Sequence, residues 1–119
     1  MATAFKTTAL VNGLIAVGHA LKGFEMFAWD QKHYQMLPRT AAVPYRTGWF
    51  QGCTLFSILG LLNYRWGVTG MGHPADRLIA ALASVTYLWS FYLYRTVGDP
   101  AQYATLAGGI AQIYSAFIV

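Results

Sequence analysis

Charged side chains are scarce in this sequence, and their scarcity argues against an ordinary water-soluble domain. Of the 119 residues, 10% are charged and 56% are apolar, whereas about 25% of residues are charged in a typical globular protein. A small domain has a large surface relative to its volume, and so few charged side chains cannot cover it. We therefore expect a lipid bilayer to surround most of the chain.

Cysteine and the common cofactor motifs are also lacking. Cys53 is the only cysteine, which excludes an intramolecular disulfide and a cysteine metal cluster. The sequence has no P-loop, no G-x-G-x-x-G and no H-E-x-x-H, and its three histidines are widely spaced. We expect no metal and no cofactor. The basic residues behind the net charge of +4 are scattered, so nucleic acid is not an expected partner.

The sequence does contain four long apolar runs. Uncharged runs cover 47–64, 78–94 and 101–119, and another begins at 7–21 and continues past two charged residues. A helix needs roughly 20 residues to cross about 30 Å of hydrocarbon. These runs predict an all-α fold, an integral membrane four-helix bundle with short connections. It would form one domain over 1–119, with spans at about 5–28, 47–65, 76–95 and 100–118.

Prolines and tryptophans mark the ends of these runs. Proline is favoured at the first helical position, so His73-Pro74 and Asp99-Pro100 each predict a helix start. Tryptophans near span ends are expected at the membrane–water interface. Trp29, Trp49 and Trp66 occupy such positions. We expect a multi-pass protein of the endoplasmic reticulum or plasma membrane.

The segment "VGHALKGFEMF" at 17–27 places His19, Lys22 and Glu25 inside the first run. At about 100° per residue, one stripe of this helix holds Thr8, Asn12, Ala16, His19, Gly23 and Met26. Polar groups are costly in hydrocarbon, so the stripe should face protein or a water-filled cavity. We predict that His19 has a polar partner from another span, with Gln51 or Gln112 favoured. Lys22 should extend toward the headgroups, leaving Glu25 paired with it or turned toward a cavity mouth.

These residues suggest a site for a lipophilic molecule. His19 and Glu25 are the candidate catalytic pair, with a purely structural role for His19 as the alternative. The residues expected to bind substrate are Asn12, Gln51, Tyr87, Trp89, Gln112 and Tyr114. An apolar pocket with a few convergent polar groups is typical of such sites.

Three functions remain open. The first is a cofactor-free membrane enzyme, an isomerase or cyclase that moves a proton on a lipophilic substrate. The second is a non-catalytic subunit or assembly factor of a membrane complex. The third is a proton-coupled transporter that works as a homodimer, paired across Gly48 and Gly52, with Glu25 as its proton site.

Two resemblances accompany these hypotheses. The length, the four runs and the acidic residue of the first run are similar to small multidrug-resistance transporters, although the sequence around Glu25 departs from theirs. The segment "GLIAVGHALKGFE" at 13–25 resembles the first span of DoxX-like four-helix proteins. Neither resemblance assigns a site residue.

Overall fold

Four long helices carry most of the chain. The computed structural model describes residues 1–28 and 31–119, which form α1 (Ala2–Met26), a single short turn α2 (Lys32–Gln35), α3 (Arg39–Thr69), α4 (Pro74–Thr96) and α5 (Ala101–Ile113). A π-helical turn, Tyr114–Ile118, follows α5. The described residues contain no strand. The predicted all-α fold is therefore confirmed, while the position predicted for Trp29 lies outside the described residues.

Helix α3 begins earlier than the sequence indicated. The predicted span begins at about residue 47, so residues 39–46 were expected to belong to the connection that holds Pro38 and Pro44. Instead, Pro38 is the N-cap, and its carbonyl accepts hydrogen bonds from the backbone N–H groups of Ala41 and Ala42. Pro44 lies inside the helix, where it cannot donate the usual backbone hydrogen bond.

Of the two other predicted helix starts, the one at Pro74 is found as predicted, while α5 begins one residue later than predicted, at Ala101 with Pro100 as its N-cap. The Ala75 backbone N–H donates to His73 Nδ1 at 3.1 Å, and the His73 backbone N–H donates to the Asp76 carboxylate at 3.1 Å. This reciprocal cap satisfies N–H groups that have no partner within a helix. At the start of α5, the Ala101 backbone N–H donates to Asp99 Oδ1 at 2.8 Å.

The helices are arranged in the order α3, α1, α5, α4 around the bundle. Helix α1 packs along α3 and α5, and α4 packs along α5. The fourth side, between α3 and α4, is held mainly by side chains, among them Leu59, Ala83 and Tyr87. At the far end of this side, Trp66 packs with Phe5 and Ala80.

The core contains buried hydrogen bonds that connect opposite helices. The Tyr87 hydroxyl of α4 donates to Asn12 Oδ1 of α1 at 2.5 Å. Asn63 of α3 and Gln112 of α5 exchange amide hydrogen bonds at 2.9 and 3.3 Å. All four side chains are essentially inaccessible to solvent. These bonds run along both diagonals of the bundle.

The predicted polar stripe of α1 faces inward. Thr8, Asn12, Ala16 and Gly23 are buried, and His19 is half-buried. The Thr8 hydroxyl lies 3.0 Å from the Ala111 carbonyl oxygen of α5. This part of the sequence interpretation is confirmed.

Large apolar side chains cover much of the outer surface. On α1, a row of exposed residues recurs at helical spacing: Leu10, Leu14, Val17, Leu21 and Phe24. A second row follows α4: Leu78, Leu82, Val85, Trp89 and Tyr92. Within residues 1–28 and 31–119, no helix has both the length and the apolar character needed to cross a membrane.

Candidate functional site

A cavity of about 330 Å³ lies between the four long helices, at the end where α1 and α4 finish and α5 begins. Its lining residues are Leu14, Ile15, Gly18, His19, Lys22, Trp49, Phe56, Tyr94, Ala101, Ala104 and Thr105. Most of them are apolar or aromatic. The few polar groups are therefore conspicuous, and we refer to this space as the His19 cavity.

The His19 side chain is fixed by Trp49 of α3. The two rings stack with their centroids 4.1 Å apart and their planes 5° from parallel. His19 Nε2 lies 3.1 Å from the Trp49 carbonyl oxygen, and the Trp49 indole N–H donates to the His19 carbonyl at 2.8 Å. Glycines permit this close fit, since a Cβ at Gly23 would come within 2.6 Å of the Trp49 ring.

This contact determines which imidazole nitrogen of His19 carries the proton. A carbonyl oxygen can only accept a hydrogen bond, so Nε2 of His19 must carry the hydrogen. In the neutral imidazole Nδ1 then holds the free lone pair. No hydrogen bond to Nδ1 is made by the described residues. His19 can therefore act as a base through Nδ1 while Nε2 remains fixed.

Glu25 does not join His19 in the cavity. Its carboxylate pairs with the Lys22 ammonium at 3.1 Å, and the Glu25 side chain is 67% exposed. The i, i+3 spacing makes this local pairing possible. Of the two outcomes expected for Glu25, pairing with Lys22 is the one observed. Lys22 itself is among the residues that line the cavity.

Three of the predicted substrate-binding residues instead hold the core together. Asn12 bonds to Tyr87, and Gln112 bonds to Asn63, in the diagonal pairs described above. None of these four side chains lines the His19 cavity. The favoured partners of His19 were therefore wrong, because Gln112 pairs with Asn63 and the partner is a backbone carbonyl.

The other three predicted substrate-binding residues point outward. Gln51 is exposed, Trp89 is 61% exposed and Tyr114 is 51% exposed. Trp89 packs against Tyr92 on the outer face of α4. The structure places none of the three in the His19 cavity.

Several cavity residues were missed by sequence reasoning. Trp49 was expected at the membrane interface, yet it forms the main contact of His19. The available signal was a stripe at spacings of three and four along α3, composed of Trp49, Gly52, Phe56, Leu59, Asn63 and Trp66. All six are buried or half-buried. Such a stripe is typical of the inward face of a helix.

Gly52 serves packing within the chain. A Cβ at Gly52 would come within 3.0 Å of His19 Nε2, whereas one at Gly48 would meet nothing within 4 Å. The Gly48–Gly52 motif was considered for homodimer contact, but in this structure Gly52 faces α1. Only the Gly48 position is open to a neighbour.

Neither metal clusters nor known relatives point to a chemistry. In the described part of the chain, no three His, Cys, Asp or Glu side chains are grouped so that they could hold a metal ion. Comparison of the chain with protein families, with curated proteins and with solved structures finds no match. The site's own geometry is therefore the basis for a functional hypothesis.

Proposed function

We propose that the bundle lies in a membrane, with its outer surface against lipid. The support is the distribution of polarity: the exposed rows of α1 and α4 are apolar, whereas Asn12, Asn63 and Gln112 are completely buried. Extensive exposed apolar surface is typical of membrane or protein contact. Polar side chains that point inward lower the average hydropathy of a helix without making its outer face polar.

Alkaline carbonate extraction of membranes from expressing cells tests this location. We expect the chain to remain in the membrane pellet, as an integral protein does. Release into the supernatant would overturn the membrane proposal. Gel filtration in mild detergent then addresses the second hypothesis, a subunit of a complex, because a partner would elute with the chain.

We further propose that the His19 cavity binds a lipophilic small molecule and that His19 moves a proton on it. The observation that carries this proposal is a largely apolar cavity whose lining includes the oriented imidazole of His19 and the side chain of Lys22. The apolar walls suit a hydrocarbon body, and Lys22 suits an anionic or hydrogen-bond-accepting group.

Isomerisation or cyclisation is the proposed reaction class. His19 Nδ1 would accept a proton from the substrate carbon skeleton, and the imidazolium would return it at another position, so no net proton is consumed. The Lys22 ammonium would stabilise negative charge that develops on a substrate oxygen. Glu25 would hold Lys22 in place through their ion pair rather than transfer the proton itself.

Filling the cavity offers a sharp test of binding. Gly18 lines the cavity and Gly13 does not, and a Cβ at either position meets nothing within 4 Å. The probe is a lauric acid analogue with a terminal diazirine, photolysed in zwitterionic nanodiscs and mapped by peptide mass spectrometry. We expect Gly18→Leu to abolish labelling of the cavity residues and Gly13→Leu to leave it intact. Equal labelling of both variants would contradict the proposed site.

Turnover tests the chemistry separately. Purified protein is incubated with lipophilic candidate substrates, and rearranged products are sought by chromatography. We expect His19→Ala to abolish product formation, because the base is gone, and Glu25→Gln to retain most of it. Full activity of His19→Ala would remove the assigned base.

A further inference from the structure

A second apolar cavity lies beside the first, and one side chain borders both. This space of about 230 Å³ occupies the more open side of the bundle between α3 and α4, with Leu59, Ala83 and Thr86 in its lining. Phe56 of α3 lines both cavities, and no other described residue does.

The Phe56 ring stands between His19 and Tyr87. Its centroid is 5.3 Å from the His19 ring, in an edge-to-face contact, and 5.7 Å from the Tyr87 ring, in a stacked contact. His19 belongs to the first cavity and Tyr87 to the second. The wall shared by the two cavities thus includes a half-buried side chain that contacts a ring on each side.

We infer that Phe56 determines which substrates fit, by closing the far end of the His19 cavity to longer hydrocarbon chains. This inference rests on the proposed function and names its substrate class. The class is amphiphiles with an anionic or hydrogen-bond-accepting head near Lys22 and a medium-length apolar tail that ends at Phe56.

The physical cause of this selection is steric. An acyl chain is surrounded by hydrocarbon both in lipid and in the cavity, so additional methylenes gain little by transfer. A chain that is too long must bend or displace packed side chains. Such overpacking changes affinity by roughly tenfold or more. Removal of the Phe56 ring joins the two cavities and gives the tail a path toward Thr86 and Ser90 of α4.

Photolabelling with chains of different length tests the inference. Terminal-diazirine analogues of octanoic, lauric and palmitic acid are compared in zwitterionic nanodiscs. We expect Phe56→Ala to raise the ratio of palmitic to lauric labelling by about tenfold and to move the palmitic label onto α4. The matched control is Phe50→Ala, since Phe50 is also half-buried on α3 but lines neither cavity.

Two further variants guard against loss of folding. Phe56→Leu keeps apolar packing and replaces Phe56→Ala if the latter is not monodisperse and helical. Ala83→Leu, added to the Phe56 variant, refills the second cavity and should restore the wild-type chain-length preference. If the cavity is labelled but the Phe56 variant leaves the ratio of palmitic to lauric labelling unchanged, the role of Phe56 is overturned and the proposed function stays intact. Absence of cavity labelling in the wild-type protein would overturn both.

Discussion

Asn63 and Gln112 bond to each other in both directions at the centre of the bundle. The Asn63 amide donates to Gln112 Oε1 at 2.9 Å, and the Gln112 amide donates to Asn63 Oδ1 at 3.3 Å. Both side chains are 0% exposed, and Asn63 also donates to the Leu59 carbonyl at 2.9 Å. Each amide satisfies the other, so neither is free to bind a ligand.

Breaking this pair from one side should cost more than removing it. Asn63→Leu leaves the Gln112 amide buried without its partner, and we expect a loss of about 1–3 kcal/mol in the free energy of unfolding. Gln112→Met should have a similar effect. The double variant should lose less than either single variant, because no unpaired amide remains. Reversible unfolding in mixed detergent measures all three, and strictly additive losses would refute the coupling.

Tyr87 should stabilise the fold through its hydroxyl group. Tyr87→Phe removes the only side-chain donor to Asn12 Oδ1 in the described structure, and we expect a loss of about 1–3 kcal/mol. Tyr92→Phe is the matched control, because Tyr92 is 57% exposed on the same helix. The same unfolding measurement compares them. Equal stability of the two variants would show that the buried hydroxyl contributes nothing.

Two glycines of α1 should respond oppositely to the same substitution. Gly23→Ala places a methyl group 2.6 Å from the Trp49 ring, and such overpacking typically costs about 1–3 kcal/mol. At Gly13 a methyl group meets nothing within 4 Å, so Gly13→Ala should stabilise the helix by roughly 0.5–1 kcal/mol. Reversible unfolding followed by circular dichroism measures both variants. Destabilisation by Gly13→Ala would contradict the packing described.

Two prolines at different helix positions should also differ. Pro44 lies inside α3, so Pro44→Ala restores a backbone N–H and should stabilise the protein by about 1 kcal/mol or more. Pro74 begins α4, where its missing N–H would have no helical partner. Pro74→Ala should therefore bring no gain. Thermal unfolding followed by circular dichroism decides the matter, and equal shifts in both variants would count against the helix boundary at Arg39.

The inward face of α1 was predictable, whereas that of α3 was misread. Both readings began from polar residues. On α1 the polar residues share the stripe of Thr8, Asn12 and His19, so the reading succeeded. On α3 it selected Gln51, which lies on an exposed side of the helix together with Thr54 and Ser57.

The cause is local hydrogen bonding. Thr54 lies 3.4 Å from the Phe50 carbonyl, and Ser57 donates to the Cys53 carbonyl at 2.9 Å. A hydroxyl satisfied by its own helix has no need of the interior. The stripe of α3 from Trp49 to Trp66, which includes Asn63, was the better guide to the inward face of this helix. The contact of Trp49 with His19 depends on how α1 and α3 align, which neither helix specifies alone.

The diagonal bonds have a mechanical consequence. A four-sided frame with hinged corners shears easily, and a brace along each diagonal prevents it. In this bundle the Asn12–Tyr87 and Asn63–Gln112 bonds are such braces. The gap between α3 and α4 therefore keeps its width without close helix contact along that side. A ligand that binds between α3 and α4 would contact helices already held in place by these bonds. Little ordering of the protein would then oppose its binding.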